Sequence, residues 1–497
     1  ALSRDGISPA SPADDATIIR RLTLDLAGRI PTAAESRAYL ESTDPRKRVR
    51  LVDRLMASPG FVRHLATELD ALMMAGVKGS LRDYLARALA EGRSWDRIFR
   101  EVILPDATDA AQQGAAPFLR QRVKDLDRLA TEVSTTFFGV NISCAQCHDH
   151  PLVSDWTQDH FYGMKAFLAR TFENGEFLGE RGYGVVTYKT TDGEERRARM
   201  MFLTGRVVDE PPGGEPSKEE QKQEKERLER AKKEKVPPPR PGFSARAQLV
   251  EVALSPGERD YFARSIVNRT WHRLFGRGLV MPLDQMHEAN APSHPELLAW
   301  LARDTAEHGY DLRRLIRGLV LSQCYARGSR WEGGEVPRAS SFAVAAVRPL
   351  TPMQLATSLA LATADPARLP ADIQPEEAET RIEALEAGAR GLAPAFGPAG
   401  DDRQIGVSEA LLFNNGERIA QGLLTDAPDR LVGRLKAIED PNQLIDVSVR
   451  NVLSRSPDDE ELHALGSYLR DRADRPVEAR RQLVWALLTC SEFRFNH

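Results

Sequence analysis

Between Ser217 and Lys235 the chain is a near-continuous run of Lys, Glu, Gln and Arg, with Leu228 as its only large aliphatic residue. Such a segment has no apolar face to bury, so it is a solvated helix or a disordered loop. The stretch Val236-Pro237-Pro238-Pro239-Arg240-Pro241-Gly242 follows, a stiff extended linker. This is the clearest boundary in the 497 residues. It predicts an N-terminal helical domain over 1–175, a β-hairpin region with the charged, proline-rich linker over 176–245, and a C-terminal helical domain over 246–497.

On either side the apolar residues recur at helical spacing. Ile18, Ile19, Leu22 and Leu26 make one stripe, stopped by Gly28 and Pro31. Thr32 with Glu35 reads as a capping box for the next helix. Asp44-Pro45 and Ser58-Pro59 are helix starts. A longer helix is expected from about Asp125 to Gly139, with Leu126, Leu129, Ala130, Val133 and Phe137 on its buried face. In the second half, Phe262, Ile266, Val267, Trp271, Leu274 and Phe275 line a helix closed by Gly276. Ser293 with Glu296 reads as a capping box around His294-Pro295, and Thr351-Pro352 starts one more helix. Val185–Thr190 and Arg199–Leu203 are β-rich runs around Asp192-Gly193, a hairpin-turn signal. The expected fold class is mainly all-α, two helical domains joined by a small β-hairpin region and a charged linker.

The bulk properties bound the function. The formal net charge is -4, which gives no electrostatic reason to expect nucleic acid as partner. No apolar run reaches the length of a membrane span, so no transmembrane segment is expected. Four cysteines are far too few for a disulfide scaffold. Cys324 and Cys490 follow helix-like apolar patterns and are expected as buried small hydrophobes.

The other two cysteines stand together in Cys144-Ala145-Gln146-Cys147-His148, the pattern of c-type haem attachment. Two thiols one turn apart can add across the two vinyl groups of haem, and the adjacent histidine lies under the iron. With so few Cys and His, chance would produce the pentapeptide with odds on the order of one in a thousand. Zinc or another directly bound metal on Cys144, Cys147, His148, Asp149 and His150 is the competing reading, although four tetrahedral ligands within seven residues are cramped. A thioredoxin-like redox pair would need a βαβ context that the sequence lacks. The motif expects Cys144 and Cys147 bonded to one haem and His148 as iron ligand. The helix ending near Gly139 offers Phe137 and Phe138 as apolar packing for a planar cofactor. For a sixth ligand the candidates are His160, Met164, His287, His294 and His308, with an open or water-bound sixth position as the equal alternative. Met164 shares a stripe with Phe161 and Leu168, so core packing is expected there.

These strings resemble a family of large exported proteins common in planctomycetes, which pair domains of unknown function fifteen-forty-nine and fifteen-fifty-three, often behind a planctomycete-type cytochrome c domain. The first domain's pattern is carried by Arg20-Arg21-Leu22-Thr23-Leu24-Asp25-Leu26 and by Phe138-Gly139-Val140. It continues through Cys144 to Pro151, Trp156-Thr157-Gln158-Asp159 and Phe161-Tyr162-Gly163. The second domain's pattern is carried by Tyr261-Phe262-Ala263-Arg264, Val267-Asn268-Arg269 and Phe275-Gly276-Arg277-Gly278-Leu279-Val280. Pro292-Ser293-His294-Pro295-Glu296-Leu297-Leu298 and Gly309-Tyr310-Asp311-Leu312 complete it. The sequence departs from the family in carrying His160 where an acidic residue is usual and in the length of its charged segment. Because His150 and His294 fall inside the family strings, His294 is the expected second contact to the cofactor.

The resemblance implies an exported, haem-linked protein and no particular reaction. The functional expectation is therefore an electron-transfer protein of the periplasm or cell surface. It would carry one covalent haem c with its iron and serve a redox partner protein within a multi-subunit or membrane-associated assembly. An Ala1 start fits a removed export signal. The rivals are a haem-iron enzyme of peroxidase or oxidase type, and a structural or assembly component whose Cys-x-x-Cys-His holds a metal.

Overall fold

The computed structural model describes residues 6–397 and 413–497, apart from 151–152, 155, 212–215, 258–259, 414–415 and 417. These residues are mainly helical, with small two-stranded antiparallel sheets. No helix among them is long and apolar enough to cross a membrane. Contacts gather into two compact units, each assembled from segments distant in sequence. One takes the chain up to Leu65, Leu274–Gly276 and Arg317–His497; the other takes Ala66–Arg273 and Arg277–Ile316. The units therefore do not part at residues 175 and 245, where the composition changes.

Polar chemistry explains why the first unit is built from the chain's beginning and its end. Its opening helix, Asp15–Ala27, is capped by Asp14, which accepts from Thr17 N at 2.7 Å, and closes on Gly28. Ile19, Leu22, Leu24 and Leu26 are buried as the stripe predicts, but so are Arg20, Arg21, Thr23 and Asp25. Buried polar groups need partners, and these come from far along the chain. Arg20 Nη2 donates to the carbonyls of Glu492 and Phe493 at 3.1 and 2.8 Å. Burial pushes the Arg20 guanidinium down to about 10. Arg21 donates to the carbonyls of Tyr325, Arg327 and His497. The Asp25 carboxylate accepts from Tyr325 Oη at 2.7 Å, Arg348 Nη2 at 2.8 Å and Asn496 Nδ2 at 2.9 Å. Burial and the facing Asp25 carboxylate hold the Tyr325 phenol well above its ordinary range.

The Thr32–Glu35 capping box forms as expected. Glu35 N donates to Thr32 Oγ1, and Thr32 N donates to the Glu35 carboxylate at 2.8 Å. Arg29 grips the same carboxylate with two bonds, 2.7 and 3.0 Å. Thr351 and Gln354 box the helix Pro352–Ala362. That helix packs Leu355 and Leu359 into a core with Ile445 and Val449 of Pro441–Leu453 and Leu488 of Pro476–Thr489. Cys324 and Cys490 are partly rather than fully buried and both are free thiols. Burial raises both of their pKa values.

The second unit has an aromatic core. Phe99 of the helix Trp95–Ile103 meets Phe137 at 4.8 Å and Phe262 at 4.9 Å, and Phe138 meets Phe202 edge-on at 5.1 Å. The hairpin at Asp192-Gly193 is present, but its strands are Thr187–Lys189 and Glu195–Arg197. Met200–Met201 pairs instead with Val207–Val208, because the short turn uses up the nearer residues before the apolar run begins. A further hairpin, Thr171–Asn174 with Phe177–Glu180, carries little apolar alternation and was not legible. The charged run is a helix, Lys218–Glu234, boxed by Ser217 and Glu220. Its Ala231 is buried, and Asn174 Nδ2 donates to Leu228 O at 3.1 Å.

Candidate functional site

The site begins where the helix Leu126–Phe138 ends. Asp125 caps its start, and Gly139 closes it in the left-handed conformation at φ 65°. A Cβ on Gly139 would lie 3.1 Å from Leu283 O and 3.2 Å from Met286 Sδ, so glycine is required by conformation and by space. The segment after Met281 is sewn to this corner. Val140 bridges Gln285, Asn141 N donates to Asp284 O at 2.8 Å, and Met286 N donates to Gly139 O at 3.0 Å. Asn141 Nδ2 also reaches Asp284 Oδ2 at 3.2 Å.

From that anchor the chain makes a 3₁₀ turn, Ser143–Gln146. Ile142 and Ala145 are fully buried and pin the turn. Their burial leaves Cys144, Cys147 and His148 exposed, and both thiols are free. His148 Nδ1 lies 2.7 Å from Asp149 O. A ring nitrogen facing a carbonyl is the protonated one, so Nε2 carries the lone pair.

The next helix, Gln158–Leu168, holds the turn from the other side. Gln158 is buried, and its Nε2 donates to Cys147 O at 3.2 Å and to Gln146 O and Lys189 O at 3.4 Å. Its backbone N donates to Asp149 Oδ1 at 2.9 Å. Tyr162 Oη donates to Gln146 O at 3.1 Å, and its ring stacks on Tyr188 at 4.1 Å. Tyr188 Oη donates to Asp159. Burial, then this carboxylate, push Tyr188 up to about 12. Gly163 lets the helix approach the strand Met200–Met201, since a Cβ there would sit 2.6 Å from Met201 Cβ. Gln158 and Tyr162 lie in strings singled out from the sequence, but their role as clamps on the motif's carbonyls was not read. The available signal was a long polar side chain one helical turn or less after a cap.

The histidines sort themselves by environment. His160 Nδ1 accepts from Thr157 N at 3.3 Å and pairs with Thr157 Oγ1 at 3.1 Å, completing a capping box. Where the family carries an acid, this position wants an acceptor that reaches back to the cap, and an imidazole nitrogen serves. Met164 is fully buried, as its stripe predicts. His308 Nδ1 lies 2.8 Å from Asp304 O at the end of the helix Pro295–Glu307. His294 is the N-cap residue of that helix and pairs with Ser293 Oγ at 3.2 Å. Ser293 is therefore not the cap: its hydroxyl donates to Leu279 O. His287 stands elsewhere. Its ring meets Trp156 edge-on at 5.4 Å and lies 6.4 Å from His150. His150 meets the same Trp156 at 5.8 Å, and its N donates to Trp156 O at 2.8 Å.

Phe137 and Phe138 do not face this turn as a cofactor wall. Both are buried in the aromatic core against Phe99 and Phe118 or Phe202. The rings grouped around His150, two residues past the motif, are Trp156 and His287. Among the described residues no set of three or more His, Cys, Asp or Glu side chains is disposed to hold a metal ion. The donor set nonetheless suits a covalently attached haem. It offers two exposed thiols on a pinned turn and an adjacent imidazole with Nε2 outward.

Comparison with known families divides the chain in two. Residues 1–173 match a family described as PSCyt2, protein of unknown function (DUF1549), and residues 245–388 match PSD1, protein of unknown function (DUF1553). No curated protein and no solved structure matches the chain. Cys144, Cys147, His148 and His150 fall in the first match and His287 in the second, although all belong to one compact unit.

Proposed function

The chain belongs to the proteins that pair these two domains, and from that premise we propose that it is an exported c-type haem protein which passes electrons to or from a partner protein. The observation that carries the reading is the state of the pentapeptide. Cys144 and Cys147 are exposed, unpaired thiols, and the tie from His148 Nδ1 to Asp149 O leaves Nε2 as the donor. Each thiol would add across a haem vinyl group, sulfur to one carbon and its proton to the other, with no oxidant consumed. Attachment to this motif takes place outside the bacterial cytoplasm, so a haem here would imply a location in the periplasm or at the cell surface. A haem so bound supplies a one-electron couple.

The protein's part is to hold the turn. Gln158 and Tyr162 fix three carbonyl contacts beneath it. Ile142 and Ala145 anchor it from within. A pinned turn would hold the His148 imidazole with little rearrangement as the iron it ligates changed charge, which suits transfer of electrons more than bond-making at the metal. The redox partner docks where the turn is exposed.

The test is the intact mass and visible spectrum of the protein unfolded in acid, after purification from a host that exports and attaches haem. Thioether bonds survive unfolding, whereas zinc and non-covalent haem are lost. The expected result is one added haem mass and haem absorption that stays with the polypeptide. A bare polypeptide mass, with no haem absorption in the protein fraction, refutes the reading.

A further inference from the structure

We propose that a cavity in the first compact unit binds a small monocarboxylate through the buried guanidinium of Arg20; this is independent of the haem reading above. The cavity has a volume of about 1140 Å³, ample for a small organic molecule. Its wall comes from the chain before and within the first helix, from the loop 328–333 and from the segments around Arg455 and Glu492, all in that one unit. Arg20 is part of this wall and is only 2% exposed. Its Nη2 is taken by the carbonyls of Glu492 and Phe493, but among the described residues its Nε and Nη1 have no hydrogen-bond partner. The Phe493 ring lies with its centre 5.8 Å from Cζ, which covers a face of the guanidinium and accepts nothing from its in-plane N–H groups.

The carboxylate next to Arg20 is committed elsewhere. Glu492 accepts from Arg455 at 2.6 and 2.7 Å, and Arg455 also holds Glu461 with two bonds of 2.7 Å. Glu492 therefore gives Arg20 its main-chain carbonyl and gives its charge to Arg455. Burial outweighs the pull of Glu492 and sets Arg20 at about 10, so the guanidinium stays charged at neutral pH. A buried charge without an ion pair and without its full set of hydrogen bonds is costly, and a bound carboxylate supplies both. Nε and Nη1 have almost no accessible surface, so bulk water does not serve them and a ligand must displace the side chains that cover them.

A second unanswered donor stands on the same wall. Trp331 Nε1 has no partner among the described residues, and its ring is packed on Gly333, where a Cβ would lie 2.6 Å from Cζ2. The wall also carries Asp14, Glu332 and Asp458 against Arg330. These carboxylates would repel a phosphate or sulfate dianion, whereas a single carboxylate on an apolar body can set its charge on Arg20 and its body against Trp331.

The experiment uses the full chain and three probes: phenylacetate, the uncharged phenylacetamide and inorganic phosphate. The readouts are titration calorimetry and the indole N–H resonance of Trp331, assigned by its loss in Trp331→Phe. Phenylacetate is expected to bind saturably at one site and to shift that resonance, with phenylacetamide weaker by about tenfold or more and phosphate weaker still. Arg20→Lys keeps the charge but removes Nε and Nη1 and is expected to weaken phenylacetate by about tenfold. Trp331→Phe removes one donor from an exposed loop and is expected to weaken it by about threefold. Should Arg20→Lys fail to fold, Trp331→Phe and the comparison of acid with amide still decide. No saturable binding of phenylacetate, equal binding of acid and amide, tighter binding of phosphate, or full affinity in Trp331→Phe overturns the proposal and leaves the haem reading untouched.

Discussion

Replacing Glu35 by Gln should weaken the first compact unit by about 2–3 kcal/mol at pH 7, and the deficit should vanish in acid. The Glu35 side chain is about four-fifths buried, with 21% of its surface exposed. Burial alone would raise its pKa. The Arg29 guanidinium, bound twice at 2.7 and 3.0 Å, with Thr32 N donating to the same carboxylate, instead holds it at about 2 against an ordinary 4.5. Each pKa unit is worth about 1.4 kcal/mol, so the displacement corresponds to roughly 3 kcal/mol, trimmed somewhat by the exposed part of the pair. Glutamine can still accept from Thr32 N and so keep the cap, which isolates the loss of charge beside a buried Arg29. Because the folded pKa lies below the unfolded one, this stabilisation is complete above about pH 4.5 and is lost as pH falls toward 2. The assay is urea unfolding followed by amide exchange of the segment 15–41, which reports this unit alone, at pH 7 and near pH 2. A gap of equal size at both pH values, or one below about 1 kcal/mol at pH 7, would falsify the assignment of the effect to the ion pair.

Two further outcomes concern the candidate site. Gly139→Ala places a Cβ at φ 65° and 3.1 Å from Leu283 O; a loss of about 2 kcal/mol and faster exchange of the Asn141 and Met286 amides are expected, and a loss under about 0.5 kcal/mol would contradict the argument. Gln158→Leu keeps the volume but removes the donors to Cys147 O, Gln146 O and Lys189 O. A loss of about 1–2 kcal/mol with faster exchange across 144–150 is expected, and unchanged exchange there would show that Gln158 does not hold the turn.

What was legible in the sequence was local. Thr32 with Glu35, Thr351 with Pro352, and Asp125 with Gly139 mark helix ends from neighbouring residues, and each helix forms where they stand. The same rule misplaced the cap at Ser293, because that hydroxyl is engaged by Leu279 O, fourteen residues back. It also could not tell that His160 completes a capping box with Thr157, since a histidine at that position reads equally as a ligand. The apolar stripe on the first helix was correct but incomplete: nothing in its periodicity indicates that Asp25 and Arg21 are buried with partners 300 and 304 residues away. For the candidate site, the spacing of Cys144, Cys147 and His148 was plain. Their support by Gln158 and the approach of His287 are tertiary facts.

The polar clamp on the first helix also imposes an order on assembly. Chains are made from their N-terminal end, and domains generally fold as they emerge. Arg20, Arg21 and Asp25 leave early, yet the carbonyls and side chains that satisfy them, from Tyr325 to Asn496, come last. The first unit must wait for the tail, while every segment of the second unit, from Ala66 to Ile316, is already out. The unit that bears Cys144 and Cys147 can thus close first, before the N-terminal helix has found its partners.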